Sequence, residues 1–194
     1  PRKNMVRALE AFAAIKGNIP HNFVVTAGKS WKDRPVFDAV KRLHLSDRFV
    51  KLGTVPVEDM PALYGMADMF VYPSLYEGFG LPVLEAMACG CPVLTSNTSS
   101  LPEVAGDAAL TVDPRDTSSI ASGMLKILTD REETERLRNK GLERARRFTW
   151  EKVAENTINV FNSLSDTTIS VKQPMNADPA SPRLRGAGER RRKE

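Results

Sequence analysis

The chain has 194 residues, of which 41% are hydrophobic and 27% charged, and its formal net charge is +4. This composition is typical of a globular protein and excludes a fibrous or wholly disordered chain. No apolar run approaches the roughly 18–20 residues that a membrane-spanning helix needs, and no apolar stretch of signal-peptide type follows the N-terminus.

Segments with strand and helix patterns alternate along most of the chain. Short apolar runs bounded by Gly or Pro predict strands, and apolar residues at helical spacing predict helices. In chain order, the predicted elements are a helix over Asn4–Lys16, a strand over Phe23–Ala27, a helix over Pro35–Leu43, a strand over Phe49–Gly53, a helix over Glu58–Ala67, a strand over Met69–Tyr72, a helix over Leu81–Met87, strands over Pro92–Thr95 and Leu110–Val112, and helices over Thr117–Leu128, Arg131–Arg147 and Trp150–Leu164.

This alternation predicts an α/β fold. Strands joined to helices through short loops form βαβ units, which build a parallel sheet covered by helices on both faces. We therefore expect residues 1–166 to form one Rossmann-like domain, although the pattern leaves the strand order open. Ligands of such domains bind at the carboxyl ends of the strands. The chain begins on a helix with no strand before it, so we expect a fragment whose domain lacks its first strand.

Residues 167–194 differ in composition from the rest of the chain. They contain three Pro and two Gly residues with almost no apolar spacing, which predicts a disordered tail. Residues 183–194 hold six basic and two acidic residues, so residues 1–182 are neutral and we expect no nucleic-acid partner for the domain. For the tail, an inert end and a segment that contacts anionic lipid or nucleic acid both stay open.

The most informative stretch runs from Pro73 to Met87, where the third predicted strand ends. Gly78 and Gly80 permit positive φ angles or a close approach of the backbone to a ligand. The N–H groups of Phe79–Leu81 and of Val83 are expected to face the crevice at the start of the next helix. Together with the helix dipole, such groups bind a phosphate or a developing anion.

Two glutamates flank this turn, Glu77 and Glu85, with seven residues between them. On one continuous helix they would lie ~12 Å apart, whereas a glycoside-hydrolase pair needs roughly 5–9.5 Å. The spacing therefore favours separate roles, in which Glu77 reaches hydroxyls or transient positive charge beside the phosphate and Glu85 accepts hydrogen bonds from a ribose diol. The alternative is that the glutamates only interact with the helix dipole and the glycines only form a turn.

Other residues are weaker candidates for a site. His21 and His44 have no neighbouring motif, so we expect surface residues rather than catalytic ones. Cys89 and Cys91 are predicted to be small buried residues rather than a redox pair. Trp150 is predicted to anchor the last helix by packing.

The stretch from Glu77 to Ala88 resembles the signature of the retaining glycosyltransferases of the GT-B fold, specifically family 4. That signature is Glu-Gly-Phe-Gly-Leu-Pro-x-Leu-Glu-Ala-Met-Ala, and the chain matches it throughout, with Val83 at the variable position. The resemblance continues through further segments and covers residues 1–164. These segments are Pro1–Asn4, Leu52–Val55, Leu63–Asp68, Cys89–Val93, Ser99–Ala109, Val112–Pro114 and Arg147–Glu151.

The resemblance implies that the chain is the C-terminal half of a longer enzyme. Cys89 and Cys91 cannot form a disulfide framework and favour a reducing compartment, so we expect a cytoplasmic location, with membrane contact at the cytoplasmic face as a further expectation. This half would bind a nucleotide-sugar donor such as GDP-mannose or UDP-glucose, without a cofactor or metal ion. The N-terminal half, which the chain lacks, would supply most contacts to a glycan or lipid-linked acceptor. We expect the chain alone to be inactive, and the alternative is an isolated, non-catalytic binding fragment.

The resemblance also implies roles for individual residues. Glu77 would contact the transferred sugar and stabilise an oxocarbenium-like transition state, while Glu85 would bind the ribose. Arg2 and Lys3 would neutralise the leaving diphosphate. The backbone positions expected to contact the donor are Gly78, Phe79, Gly80 and Leu81 near the sugar and diphosphate, and Val55 near the base.

Overall fold

The computed structural model describes residues 2–26 and 34–164. These ranges contain five strands and eight α-helices. In chain order they are α1 (Met5–Ile15), β1 (Phe23–Thr26), α2 (Arg34–Arg42), β2 (Phe49–Gly53), α3 (Met60–Met66), β3 (Phe70–Tyr72), α4 (Leu81–Ala88), β4 (Val93–Ser96), α5 (Leu101–Ala105), β5 (Leu110–Val112), α6 (Thr117–Thr129), α7 (Arg131–Ala145) and α8 (Trp150–Leu164).

The structure differs from the predicted elements in a few places. The predicted helix over Glu58–Ala67 is divided into a 3₁₀ turn at Val57–Asp59 and α3. Helix α5 was not predicted, because five residues are too few to show helical periodicity. The predicted tail and the boundary at residue 166 lie outside the described residues.

The strands pair in parallel, as predicted, but in two sheets. Strand β1 pairs with β2, and β3, β4 and β5 form a second sheet in that order. In the second sheet Phe70 lies opposite Val93, and Leu94 opposite Leu110. All four residues of β4 are buried, as expected for a central parallel strand with helices on both faces.

Successive residues of β4 point into different cores. Val93 packs with side chains of α3, α4 and α5, and Leu94 packs with side chains of α1, α2 and α6. Gly123 brings α6 close to the sheet, since a Cβ there would lie 2.7 Å from Leu94 Cδ1 and 2.9 Å from Val112 Cγ1. The arrangement confirms a helix–sheet–helix fold of the Rossmann-like class.

The described residues divide into two units. The first ends at Thr149, and the second begins at Trp150 and contains α8. Helix α8 buries none of its residues, and Trp150 is 77% exposed. The prediction that Trp150 anchors this helix by packing is therefore wrong. None of the helices in the described ranges combines the length and apolar character that a membrane crossing requires.

Candidate functional site

The loop between β3 and α4 makes its special turn at Gly80, as predicted, whereas Gly78 has no positive φ and no atom within 4 Å of an added Cβ. Gly80 precedes the first residue of α4 and has a φ of +109°, which L side chains rarely adopt. A Cβ at this position would lie 2.7 Å from Leu101 Cδ2. The turn therefore requires glycine for two reasons, and it starts α4 at Leu81, where the sequence predicted it.

Three consecutive amides lie at this turn. Within the described part of the chain, the N–H groups of Phe79, Gly80 and Leu81 donate to no acceptor. The expectation for Val83 is wrong, since its N–H donates to the carbonyl of Gly80 at 2.9 Å. A hydrogen bond within the first turn of α4 thus satisfies the N–H of Val83, one of the donors that a helix start usually leaves unpaired.

The carboxylate of Glu77 is buried in a cage of donors formed by Arg2, Lys3 and Tyr72. Its Oε2 lies 2.5 Å from Arg2 Nη1, and its Oε1 accepts from the Tyr72 hydroxyl at 2.8 Å and lies 3.1 Å from Lys3 Nζ. The Lys3 ammonium also donates to the Tyr72 hydroxyl. Burial alone would raise the pKa of Glu77, but hydrogen bonds from Tyr72 and Lys3 outweigh it and hold that pKa below its ordinary value. The carboxylate is therefore ionised at neutral pH.

Hydrogen bonds of Asn4 and of the backbone hold the N-terminal segment that carries the two cations. The N–H of Leu75 donates to the carbonyl of Arg2 at 2.9 Å. The buried Asn4 amide donates to the carbonyls of Pro73 at 3.0 Å and Pro114 at 2.6 Å. The N-terminal segment is thereby joined to the loops that follow β3 and β5, at the carboxyl ends of the two outer strands of the three-stranded sheet.

Two serines after β4 support the same loop from the other side. The Glu77 N–H donates to Ser99 Oγ at 3.1 Å, and the Ser100 hydroxyl lies 3.0 Å from the carbonyl oxygen of Glu77 and 2.8 Å from that of Phe79. Reasoning from the sequence gave these serines and Tyr72 no role. In the sequence, Ser99 and Ser100 were marked only by lying in a segment that resembles the family. Tyr72 was marked only by its position at the end of a predicted strand.

Glu85 has a different environment from Glu77. It is exposed on α4, and its Oε2 accepts from the Tyr64 hydroxyl at 3.3 Å. Burial, and then the charge of Glu85, raise the pKa of Tyr64 above its ordinary value, so this hydroxyl is a neutral donor. The buried acid and the exposed acid thus lie in separate environments, in keeping with separate roles.

Not every predicted site residue is brought into this group. Val55 is half-buried and follows the carboxyl end of β2, in the other sheet. Within the described ranges, no hydrogen bond or ion pair joins it to the loop around Gly78. Its role near the base stays a prediction. In the same ranges, no three or more His, Cys, Asp or Glu residues are grouped to hold a metal ion.

A cavity of about 230 Å³ lies away from the predicted residues. His21 and Asp68 line it, with Nε2 and Oδ2 3.7 Å apart, and they precede β1 and β3. The cavity is therefore at the amino ends of these strands, whereas Glu77 follows the carboxyl end of β3. His21 is half-buried rather than a surface residue, and His44 is exposed as predicted. Of the cysteines, Cys91 is buried and Cys89 half-buried.

The family model described as "Glycosyl transferases group 1" matches residues 1–144. The chain belongs to this family of glycosyltransferases. Among its relatives, "O-antigen chain mannosyltransferase B" of Escherichia coli is 42% identical over 166 residues, which are 84% of this chain and 44% of that protein. The chain spans less than half the length of these curated mannosyltransferase relatives of Escherichia coli.

Solved structures agree with the family. A sucrose-phosphate synthase from Thermosynechococcus elongatus matches with a TM-score of 0.74 and 29% identity, over 84% of this chain and 42% of that one. The C-terminal domain of a group 1 glycosyltransferase (LpcC) from Francisella tularensis matches with a TM-score of 0.66 and 25% identity, over 74% of this chain and 77% of that domain. The chain therefore has the Rossmann-like fold of GT-B enzymes, as the resemblance implied.

Proposed function

We propose that this chain is the donor-binding half of a retaining, metal-independent glycosyltransferase of family 4. The half would hold a nucleotide sugar while the sugar is transferred to a glycan or lipid-linked acceptor. One observation carries the proposal: two cations, a buried carboxylate and three unpaired amides meet where β3 ends and α4 begins.

The diphosphate of the donor fits the cations and the amides. The side chains of Arg2 and Lys3 are 55% and 47% exposed, so a ligand can reach them. The N–H groups of Phe79–Leu81 are unpaired at the start of α4, where the helix dipole favours negative charge. As the bond from the sugar to the phosphate breaks, charge grows on the diphosphate, and these cations and amides stabilise it.

The two acids fit the two sugars of the donor. The ionised Glu77 lies beside the cations, where a carboxylate stabilises positive charge that develops on the transferred ring. Glu85 is exposed and keeps acceptor capacity for a ribose diol, because Tyr64 engages only one of its oxygens. Glu77 and Glu85 would thus bind the two ends of one nucleotide sugar.

The sugar is proposed to be mannose. The support is the relative named as an O-antigen chain mannosyltransferase, at 42% identity, and GDP-mannose is then the first donor to test, with UDP-glucose second. Acceptor contacts and turnover would need a complementary N-terminal half of the GT-B fold. The enzyme would act in the cytoplasm, with the basic tail as the candidate contact to the membrane face.

Calorimetric titration of the chain with GDP, UDP, ADP, GDP-mannose and UDP-glucose tests the proposal. We expect a nucleoside diphosphate to bind and the double variant Arg2→Gln/Lys3→Gln to weaken that binding by about tenfold or more. Lys140→Gln is the matched control, because Lys140 is a half-buried cation that pairs with Asp107 away from the site. Absence of binding by every nucleotide, or equal losses in both variants, would contradict the proposal.

A second candidate is an isolated fragment that binds the nucleotide sugar without catalysis. Turnover assays with GDP-mannose separate the two candidates. The catalytic half should transfer sugar when it is joined to a complementary N-terminal half and not alone, whereas the binding fragment should stay inactive in both forms.

A further inference from the structure

The three side chains that donate to Glu77 differ in how firmly they are held. Arg2 and Lys3 extend from the N-terminal segment with about half of each side chain exposed. Tyr72 is the last residue of β3 and is 8% exposed. Its ring stacks on Phe70 with centroids 5.5 Å apart, and its carbonyl accepts from Thr95 Oγ1 at 3.0 Å. The cations can move, whereas the tyrosine is fixed.

A bound diphosphate would compete with Glu77 for the two cations. Phosphate oxygens and carboxylate oxygens are equivalent acceptors for guanidinium and ammonium groups, and the diphosphate carries more charge. As Arg2 and Lys3 turn towards it, Glu77 loses two of its three side-chain partners. Of these three side chains, the Tyr72 hydroxyl remains, and its packing does not let it follow the cations.

We propose that Tyr72 is a positioning residue that holds Glu77 in place and ionised when the cations engage the diphosphate. The hydroxyl has a single proton. Because it accepts from the Lys3 ammonium, that proton is directed to Glu77 Oε1, 2.8 Å away. The inference rests on the proposed function, since it assumes that a diphosphate binds at Arg2 and Lys3.

The chain offers a matched control in Tyr64. This second buried tyrosine donates to Glu85 at 3.3 Å, and its ring packs edge to face with the same Phe70, with centroids 5.2 Å apart. Substituting phenylalanine for either tyrosine removes one hydroxyl and keeps the ring that packs on Phe70. Only the loss at Tyr72 should affect Glu77.

The test is the titration of the Glu77 carboxyl, followed by NMR in the 194-residue chain labelled with 13C-glutamate, with and without saturating GDP. The charged groups that contact Glu77 are Arg2 and Lys3, and both stay in every variant. We expect Tyr72→Phe to raise the pKa of Glu77 by about half a pH unit or more. The rise should be larger with GDP bound, and Tyr64→Phe should leave the titration unchanged.

A structural role alone would lower the melting temperature of Tyr72→Phe and leave the Glu77 titration where it was, and that result would overturn the inference. If Tyr72→Phe does not fold, fluorotyrosine in place of Tyr72 keeps the shape and makes the hydroxyl a stronger donor. The pKa of Glu77 should then fall, and an unchanged value would overturn the inference. If the unmodified chain binds no nucleotide, the proposed function fails. The titration of the nucleotide-free chain still tests whether the Tyr72 hydroxyl lowers the pKa of Glu77.

Discussion

The rings of Phe79 and Phe148 pack edge to face, with centroids 6.0 Å apart. Phe79 belongs to the loop before α4, and Phe148 follows α7, where the Arg144 guanidinium lies 5.0 Å from its ring centroid. The contact links two of the segments that carry the family resemblance. It places the end of α7 behind the loop whose amides are proposed to bind the diphosphate.

Phe148→Ala should lower the free energy of unfolding by about 1–2 kcal/mol, since it removes a partly exposed ring and one aromatic pair. The affinity for a nucleoside diphosphate should fall as well, because the loop loses its support. Denaturant unfolding and calorimetry measure the two effects. Phe37→Ala is the control, since Phe37 makes a similar edge-to-face pair with Phe49 at 6.4 Å. It should cost comparable stability, and an equal loss of affinity there would contradict the specific role of Phe148.

Gly80→Ala should destabilise the chain by about 1–3 kcal/mol. The added Cβ would meet Leu101 Cδ2 at 2.7 Å, and the φ of +109° is strained for alanine. Gly65→Ala is the matched control, because Gly65 lies inside α3 with no atom within 4 Å of a Cβ. This second substitution should be neutral or stabilising. Chemical denaturation measures both, and a neutral Gly80→Ala would show that the turn can rearrange.

The local pattern of the sequence was enough to predict much of this site. The period of the apolar residues placed Glu77 after β3 and started α4 at Leu81, because each of these positions depends on neighbours along the chain. The cage around Glu77 depends on residues far apart instead. Arg2 is 75 positions from Glu77, and no period connects them. The resemblance suggested both residues, but not that they pair with each other.

Tyr72 and the serines after β4 show the same limit. A tyrosine at the end of a strand fits packing as well as hydrogen bonding, and only the fold brings its hydroxyl to Glu77. The division into two sheets was likewise beyond the pattern, since it depends on which strand edges pair. The error at Trp150 has a similar cause: an amphipathic helix predicts a partner, and α8 buries no residue in the described part of the chain.

Acid should destabilise the chain partly through Glu77. Hydrogen bonds outweigh burial and lower the pKa of Glu77 in the folded state. The stabilisation is therefore present above the unfolded value of about 4.3 and is lost as the pH falls through the lower folded value. Between about pH 6 and pH 3, unfolding free energies should fall more steeply for the unmodified chain than for Glu77→Gln. Parallel curves would contradict an ionised Glu77 in the cage.

Glu77→Gln should also bind a nucleoside diphosphate more tightly than the unmodified chain, by about three- to tenfold. The reason is that Arg2 and Lys3 are engaged with the Glu77 carboxylate when no ligand is bound. Glutamine keeps the shape but not the charge, so both cations become available to the phosphates without first leaving an ion pair. Calorimetry with GDP measures the change, and the gain should shrink as salt screens the phosphate contacts. Glu85→Gln is the control, and it should weaken binding because Glu85 is proposed to accept from the ribose. Weaker binding by Glu77→Gln would mean that the carboxylate orients the cations for the ligand rather than competing with it.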